Sequence, residues 1–397
     1  MTSEPAFDPV APLPGPPDPW DFAPTPSVRP GPPYHMTEMI AAEPALARRI
    51  LERVGSPGGG AAELAAAVRA TLEAGEPVVI TGCGTSEHAA QATAEILREA
   101  AVAAGFAGAT VTSEQAFELS LAPPTSGLVI GVSHEGATGA TNAALTAAGH
   151  AGLRTAVITV SRRSPAGALA EIVVETGELD QGWCHTVGYL SPILAATAVG
   201  AGLSRRVLDP EAIASLLATG SRDERGAEAM ASALADAADL LVIASGSDRP
   251  AGRELVLKVE EASWLPSAFR DLETFLHGHL PATSSATGLV LILTDRVRRP
   301  ERVARARQAL AAARVIGLRA GAIVSAEVHE ELDRALTPAG RLVVPEASAL
   351  AAPVAALTGS ATPLQLFTER LARARGTNPD LIRRDDPVYL AAADAAG

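Results

Sequence analysis

Lysine is almost missing: Lys258 is the only one in 397 residues, and arginine supplies every other basic side chain. Basic charge as a whole is in deficit, with a formal net charge of −13 and a pI near 5.1. That excludes the clustered Lys and Arg surface on which non-specific nucleic-acid or anionic-membrane binding depends. An anionic ligand must then be held by local dipoles and neutral donors. Cysteine is scarce too. Cys83 and Cys184 stand in unrelated contexts without metal-ligand spacing, which excludes a disulfide framework and a zinc site and fits a reducing cytoplasm. No basic region followed by an apolar core opens the chain, and later apolar runs are broken by charge, Gly or Pro before membrane length. The expectation is a soluble cytoplasmic protein with no membrane span, no metal and no cofactor.

What is present is enough apolar material, 47% of residues, to bury a large core in two or three domains. Residues 1–33 hold a dozen prolines and no helical or alternating pattern. They predict a disordered or polyproline-like leader that adds nothing to the core. Structure should begin near Tyr34, with Pro44 in the first turn of a helix through Leu46, Ile50 and Leu51 to Val54. From residue 62, β-branched runs at 77–81, 128–132 and 156–160 read as buried strands, and 86–104 and 138–151 as helices. A long helical stretch is expected over 188–237. The plan then restarts with strands at 240–245, 289–293 and 341–345 and a helix at 249–264, before a last helix at 362–375 and a polar surface tail. The fold class is therefore α/β, with two doubly wound parallel-sheet units at 34–225 and 226–397.

In open α/β sheets ligands sit beyond the carboxyl ends of strands, where helix N-termini offer free amides. Two loops fit that place. Gly84, Thr85 and Ser86 follow one strand and open a helix; Ser133, His134, Glu135, Gly136 and Thr138 do the same after the next. Together they form a lysine-free phosphate cradle of hydroxyls, amides and helix dipoles. A third stretch carries Lys258 and Glu261 at a helix end and His277 sixteen positions beyond Glu261. A carboxylate that removes a proton beside a carbonyl and an imidazole that donates near neutrality are the pair that carbon-acid chemistry needs. The alternative is a solvated helix face on which Glu254, Lys258 and Glu261 make i,i+3 and i,i+4 ion pairs.

Residues 34–397 resemble the tandem sugar isomerase (SIS) domains of the isomerase half of glutamine–fructose-6-phosphate aminotransferase, and of stand-alone amino-sugar-phosphate deaminases and fructosamine-phosphate deglycases. The resemblance rests on 34–44, 82–86, 133–141, 246–250, 257–261, His277 with Gly278, and 374–380, in the family's order and spacing. It implies flavodoxin-like sheets, first-unit loops that bind a sugar phosphate, Glu261 as proton carrier and His277 as ring-opening group. It also implies a homodimer in which His277 reaches the neighbouring subunit's site. Lys258 is grouped with these catalytic residues. His185 and Thr186 stand where the family has a Ser-Thr-Lys run along the sugar, and are taken as substrate-binding.

There are three departures from the family pattern. No glutaminase domain precedes the tandem and Met1-Thr2 offers no terminal cysteine, so glutamine-dependent synthesis is not expected. The family's Schiff-base lysine falls at Pro387, which removes imine formation. Its Ser-Gln-Ser-Gly loop becomes Ser133-His134-Glu135-Gly136, placing a carboxylate beside a phosphate dianion. That contact is repulsive by several kcal/mol at intermediate dielectric, unless Glu135 turns away or a protonated His134 offsets it. The expected function is an enzyme moving a proton between C1 and C2 of an amino-sugar or related sugar 6-phosphate. Isomerisation, deamination, deglycation and dehydration at C3 share that chemistry and stay open. From a different class, a non-catalytic sugar-phosphate sensor would need neither Glu261 nor His277. His279 lacks a carboxylate or cysteine at ligand spacing, so no metal is expected.

Overall fold

Residues 7–18, 20 and 27–396 are described by the structure, a computed structural model. Two all-parallel five-stranded sheets carry the fold. The first holds Val78–Gly82 (β1), Val111–Gln115 (β2), Leu128–Val132 (β3), Arg154–Thr159 (β4) and Ile172–Glu175 (β5), in the order β2-β1-β3-β4-β5. The second holds Asp239–Ala244 (β6), Ser267–Asp271 (β7), Thr287–Leu293 (β8), Arg319–Ser325 (β9) and Gly340–Val344 (β10), in the order β10-β9-β8-β6-β7. β1 and β3 are buried along their whole length, as strands covered by helices on both faces must be, and they pair with Val78 opposite Leu128.

Helices His35–Gly55 (α1) and Ala61–Glu73 (α2) lead into the first sheet. Thr85–Ala103 (α3), Ala116–Leu121 (α4), Gly139–His150 (α5) and Pro165–Leu169 (α6) connect its strands. Val187–Ser204 (α7), Pro210–Gly220 (α8) and Glu224–Leu234 (α9) lie between the sheets in sequence. Arg249–Ser263 (α10), Leu272–Thr274 (α11), Arg299–Ile316 (α12) and Ala326–Glu331 (α13) serve the second sheet, and Ala352–Arg375 (α14) and Pro387–Ala396 (α15) close the chain.

The stretch expected as one long helix over 188–237 is three. Arg205 takes the left-handed conformation that stops α7, and the carboxylates of Asp209 and Asp223 accept the amides of Ala212 and Gly226 to start α8 and α9. α7 is, among the described residues, the one helix long and apolar enough to cross a membrane, and 83% of it is buried inside the protein. Pro44 lies inside α1 and not in its first turn, because the helix already starts at His35. That start is fixed from the far end of the chain: the Asp380 carboxylate accepts the amides of His35 at 2.9 Å and Met36 at 3.0 Å. The tail expected on the surface is thus anchored through a buried residue.

The described part of residues 7–33 forms neither helix nor strand, but Leu13 is buried in the main apolar cluster and its amide donates to Glu178. Glu178 is gripped at 2.6 and 2.8 Å by Arg49 of α1, so one leader residue does join the core. Residues of both sheets and of α1, α7 and α14 share that cluster. We propose the division between the units at 225/226, since α8 packs on α1 and α9 against β10.

Glu43 sits fully buried in the seam between α1 and α14, with Thr362 Oγ1 donating to Oε2 at 2.7 Å and no partner for Oε1 among the described residues. Burial pushes its carboxyl up to about 8, although hydrogen bonds from Thr362 and Gln365 pull the other way. Glu43 is therefore neutral at pH 7. A raised carboxyl contributes stability that is complete below its ordinary value and is lost as pH climbs through about 8. Glu43→Gln should keep the shape without the titration. Denaturation midpoints of the two proteins should agree near pH 4.5 and diverge in the variant's favour up to pH 8, by about 1.4 kcal/mol per pH unit at most.

Candidate active site

The chain leaves β1 for β2 on one side of the sheet, while β3 lies on the other, so the carboxyl ends of β1 and β3 frame a topological switch point. Both cradle loops lie there. Gly84, at φ 60°, is the N-cap of α3 and leaves the amides of Thr85 and Ser86 in a first turn without intrahelical acceptors. Gly136 is dictated by space as well as by its φ of +72°: an added Cβ would lie 2.1 Å from Ser164 Oγ. Thr138 caps α5 without using its hydroxyl on the helix.

These loops rim a cavity of about 260 Å³ whose walls include Thr85, Ser86, His134, Glu135, Thr138, His185 and Glu261. Seven of the predicted side chains are thus brought together. A larger cleft of about 400 Å³ runs along α3 and β2, where Arg98 pairs with Glu95 at 2.8 Å and Arg249 with Asp271 at 2.6 Å.

Glu261 stands in the last turns of α10 above a buried charge network. Lys258 Nζ donates to Glu261 Oε2 at 2.6 Å and to Thr85 Oγ1 at 2.9 Å, and lies 3.5 Å from Glu254 Oε1. Glu254 in turn faces His88 Nδ1 at 2.8 Å. Lys258 and Glu254 are both 0% exposed, which overturns the reading of this face as solvated. Burial alone would strip the proton from Lys258, but the carboxylates of Glu261 and Glu254 outweigh it and hold the ammonium charged. Burial likewise opposes the charge on Glu254, and Lys258 and His88 outweigh it, keeping this carboxyl below its ordinary value. Lys258 is not among the residues of the cavity wall; it is bonded to two that are, Glu261 and Thr85.

Other expectations are corrected. His277 is 69% exposed, bonds Glu273 Oε1 at 2.6 Å and is absent from the cavity wall. One chain alone does not bring Glu261 and His277 together. His134 cannot serve as a cation beside Glu135: burial drives its pKa below the ordinary value, and Asp180, 3.3 Å from Nε2, does not reverse that. Glu135 remains on the cavity wall with no partner for its carboxylate among the described residues. Thr186 is fully buried with its hydroxyl donated to Asp180 Oδ1, and it is not on the cavity wall. Asp180 also takes the amides of Thr186, Val187 and Gly188 at 2.7–2.9 Å, capping α7; burial opposes its charge, but His185, His134 and these amides hold it below the ordinary value. Ser133 is buried under its loop with no partner for Oγ among the described residues.

Four wall residues were not among the predicted site residues: Cys83, Trp183, Ile382 and Arg384. Arg384 stacks its guanidinium over the Trp183 ring at 4.5 Å. The signal available was position, since Trp183 adjoins the Cys184-His185 pair and Arg384 follows the 374–380 motif by four residues. The equivalent switch point of the second sheet, between β6 and β8, is filled by the protein itself. Asp248 accepts the amides of Thr294 and Asp295 at 2.7 and 2.9 Å, and Asp295 accepts the Ser247 amide and Arg302. Burial pushes Asp248 up to about 6.

No family model matches the chain. It is 27% identical over 326 residues to glutamine–fructose-6-phosphate aminotransferase of Gloeobacter violaceus, a match covering 77% of this chain and 50% of that protein. The chain therefore spans about half the length of the curated relative it matches. Among solved structures, the C-terminal domain of glucosamine-fructose-6-phosphate aminotransferase from Francisella tularensis aligns with a TM-score of 0.73 at 19% identity, covering 89% of this chain and 100% of that one. Tagatose-6-phosphate ketose/aldose isomerase from Escherichia coli aligns at 0.68 and 17% identity, covering 90% and 97%. Glucosamine-6-phosphate deaminase from Thermotoga maritima aligns at 0.57 and 15% identity, covering 84% and 96%. The chain is thus a sequence relative of the aminotransferase and has the tandem sugar isomerase fold that its motifs resemble.

Proposed function

We propose that the chain is an enzyme that moves a proton between C1 and C2 of an amino-sugar or related sugar 6-phosphate. The observation that carries this reading is the state of Glu261. Its Oε2 is fixed by Lys258, while Oε1 has no partner among the described residues, at the wall of a cavity rimmed by two helix N-termini. A base needs one oxygen held and one free. In this reading the first turns of α3 and α5, with the hydroxyls of Ser86 and Thr138, hold the phosphate. The open-chain sugar then offers its C1–C2 carbons to Glu261 Oε1, which takes a proton from one carbon and returns it to the other through an enediol or enolamine. Reprotonation of an enolamine at carbon gives an imine, whose hydrolysis by water releases the amine in deamination or deglycation, and departure of the C3 hydroxyl as water gives dehydration.

We place His277 in the neighbouring subunit's site of a homodimer, where it assists ring opening, because in its own chain it faces solvent on a kinked segment at Gly278. The protein is placed in a reducing cytoplasm, with Cys83 and Cys184 both free thiols. A sensor without chemistry would have no use for a carboxylate oriented by a buried ammonium.

Glu261→Gln should lower C2-proton exchange in deuterated water by about 10²–10⁴-fold while ligand affinity stays within a few-fold. A variant that exchanges normally ends the mechanism. Lys258→Met should act on stability as well as on exchange: it should cost about 3–5 kcal/mol in chemical denaturation by leaving Glu254 buried without its lysine, and it should lower exchange by releasing Glu261 Oε2. Co-folding Glu261→Gln with His277→Ala should restore exchange, since a mixed dimer contains one site with both groups intact; no recovery would place His277 outside the reaction.

A further inference from the structure

Residues 176–186 join β5 to α7 without helix or strand, and they carry two side chains of the cavity wall, Trp183 and His185. A stretch with no ladder of its own must find acceptors for its amides elsewhere. Four distant segments supply them. The amide of Asp180 donates to His134 Nε2 at 3.1 Å, that of Gln181 to Met39 Sδ of α1 at 3.1 Å, and that of Trp183 to the Asp380 carbonyl at 2.8 Å. The fourth segment is the leader: the amide of Leu179 donates to the Pro14 carbonyl at 3.2 Å.

The leader is tied to this stretch at further points. The Leu13 amide donates to Glu178 Oε2 at 3.3 Å, the Val10 carbonyl accepts from Arg49 at 2.8 Å, and Arg49 itself grips Glu178. Leu13 alone buries its side chain in the main apolar cluster, whereas Val10, Ala11, Pro12 and Pro14 are exposed. Pro9, Pro12 and Pro14 restrict φ in the free leader as well, which lowers the entropy lost when it docks. One buried side chain and a few hydrogen bonds make an attachment that can open locally while both sheets stay folded.

Next to Leu179 stands Asp180, whose carboxylate caps α7 and lies 3.3 Å from His134 and 3.9 Å from His185. Packing leaves that group little room. A Cβ on Gly188 would come within 3.0 Å of Asp180 Oδ2 and 3.1 Å of His185 Nδ1. A shift at Leu179 is therefore passed through one residue to both histidines of the wall.

Resting on the sugar-phosphate reading proposed above, we infer that residues 10–14 are a strap that positions the 176–186 wall of the cavity, with Leu13 as its anchor. Leu13 touches no ligand; it is a positioning residue that acts through Leu179 and Asp180. With the strap docked, Trp183 and His185 are held at the cavity. With it released, the wall loosens and the ligand is held weakly.

The test uses the full chain with Leu13→Asp, which cannot bury its carboxylate in the apolar cluster and so releases the strap, and with Leu13→Met, which keeps an apolar anchor. Amide hydrogen exchange is followed peptide by peptide, and binding of fructose 6-phosphate by calorimetric titration. In Leu13→Asp the amides of 176–186 should exchange about tenfold faster while those of β1 and β3 keep their rates. The Kd should rise about tenfold, as the share of chains with an ordered wall falls by the same factor. Turnover at saturation, read as C2-proton exchange, should stay within about twofold, because Glu261 stands on α10 and bound ligand restores the wall. Leu13→Met should match the wild type in all three readouts. Unaltered exchange over 176–186 overturns the strap. So does exchange that rises equally in β1 and β3, which would make Leu13 an ordinary core residue, and so does faster exchange over 176–186 with unchanged affinity, which would separate that stretch from the ligand. A wild type that binds no fructose 6-phosphate overturns the proposed function instead, and the contrast in amide exchange then decides the strap by itself.

Discussion

One buried ammonium joins the two halves of this protein. Lys258 projects from α10, beside the second sheet, and spends its donors on Glu261 of its own helix and on Thr85 at the start of α3, beside the first. Taking such a charge out of water costs several kcal/mol, which the interior recovers only if its partners are fixed. Glu254, held by His88 of α3, and Glu261 supply that compensation. Thr85 of one unit and Glu261 of the other are therefore tied together through Lys258, in a sequence that has no other lysine to offer.

A second constraint works over the length of the chain. Segments 34–44 and 374–380, which look like separate signatures in sequence, are one structural feature: Asp380 caps α1, Thr37 Oγ1 donates to Glu369 at 2.6 Å, and Thr377 Oγ1 donates to the Ala262 carbonyl at the end of α10. The tail is held there before it turns across the cavity. The residues beyond 380 inherit their position from that knot.

Much of this was legible in the sequence. β-branched runs gave β1, β3, β4, β6, β8 and β10 to within two residues, since strands buried on both faces show continuous apolar runs. β2, with the polar run Thr112, Ser113 and Glu114, escaped because it lies at a sheet edge; β5 and β7 are edges as well, and β9 hides its burial behind Ala and Gly. At the site, loop chemistry pointed to Thr85, Ser86 and Thr138, and all three line the cavity. What spacing could not say was depth. Lys258, Thr186 and Ser133 belong to the layer beneath the cavity, His134 is turned inward to Asp180, and Arg384 enters from a tail with no periodic pattern. His277 lies beyond the reach of its own chain's cavity, a fact that sequence separation from Glu261 cannot reveal.

The self-filled switch point between β6 and β8 has its own consequence. The chain repeats one architecture twice, so pseudo-symmetry would suggest two equivalent vacancies. Asp248 and Asp295 have claimed the amides of the second as internal struts, and an incoming anion would have to displace carboxylates already satisfied by Thr294, Ser247 and Arg302. The two copies of the architecture thus differ at their switch points: the first-turn amides of Thr85 and Ser86 have no intrahelical acceptor, whereas the corresponding amides of the second unit are already bonded to Asp248 and Asp295.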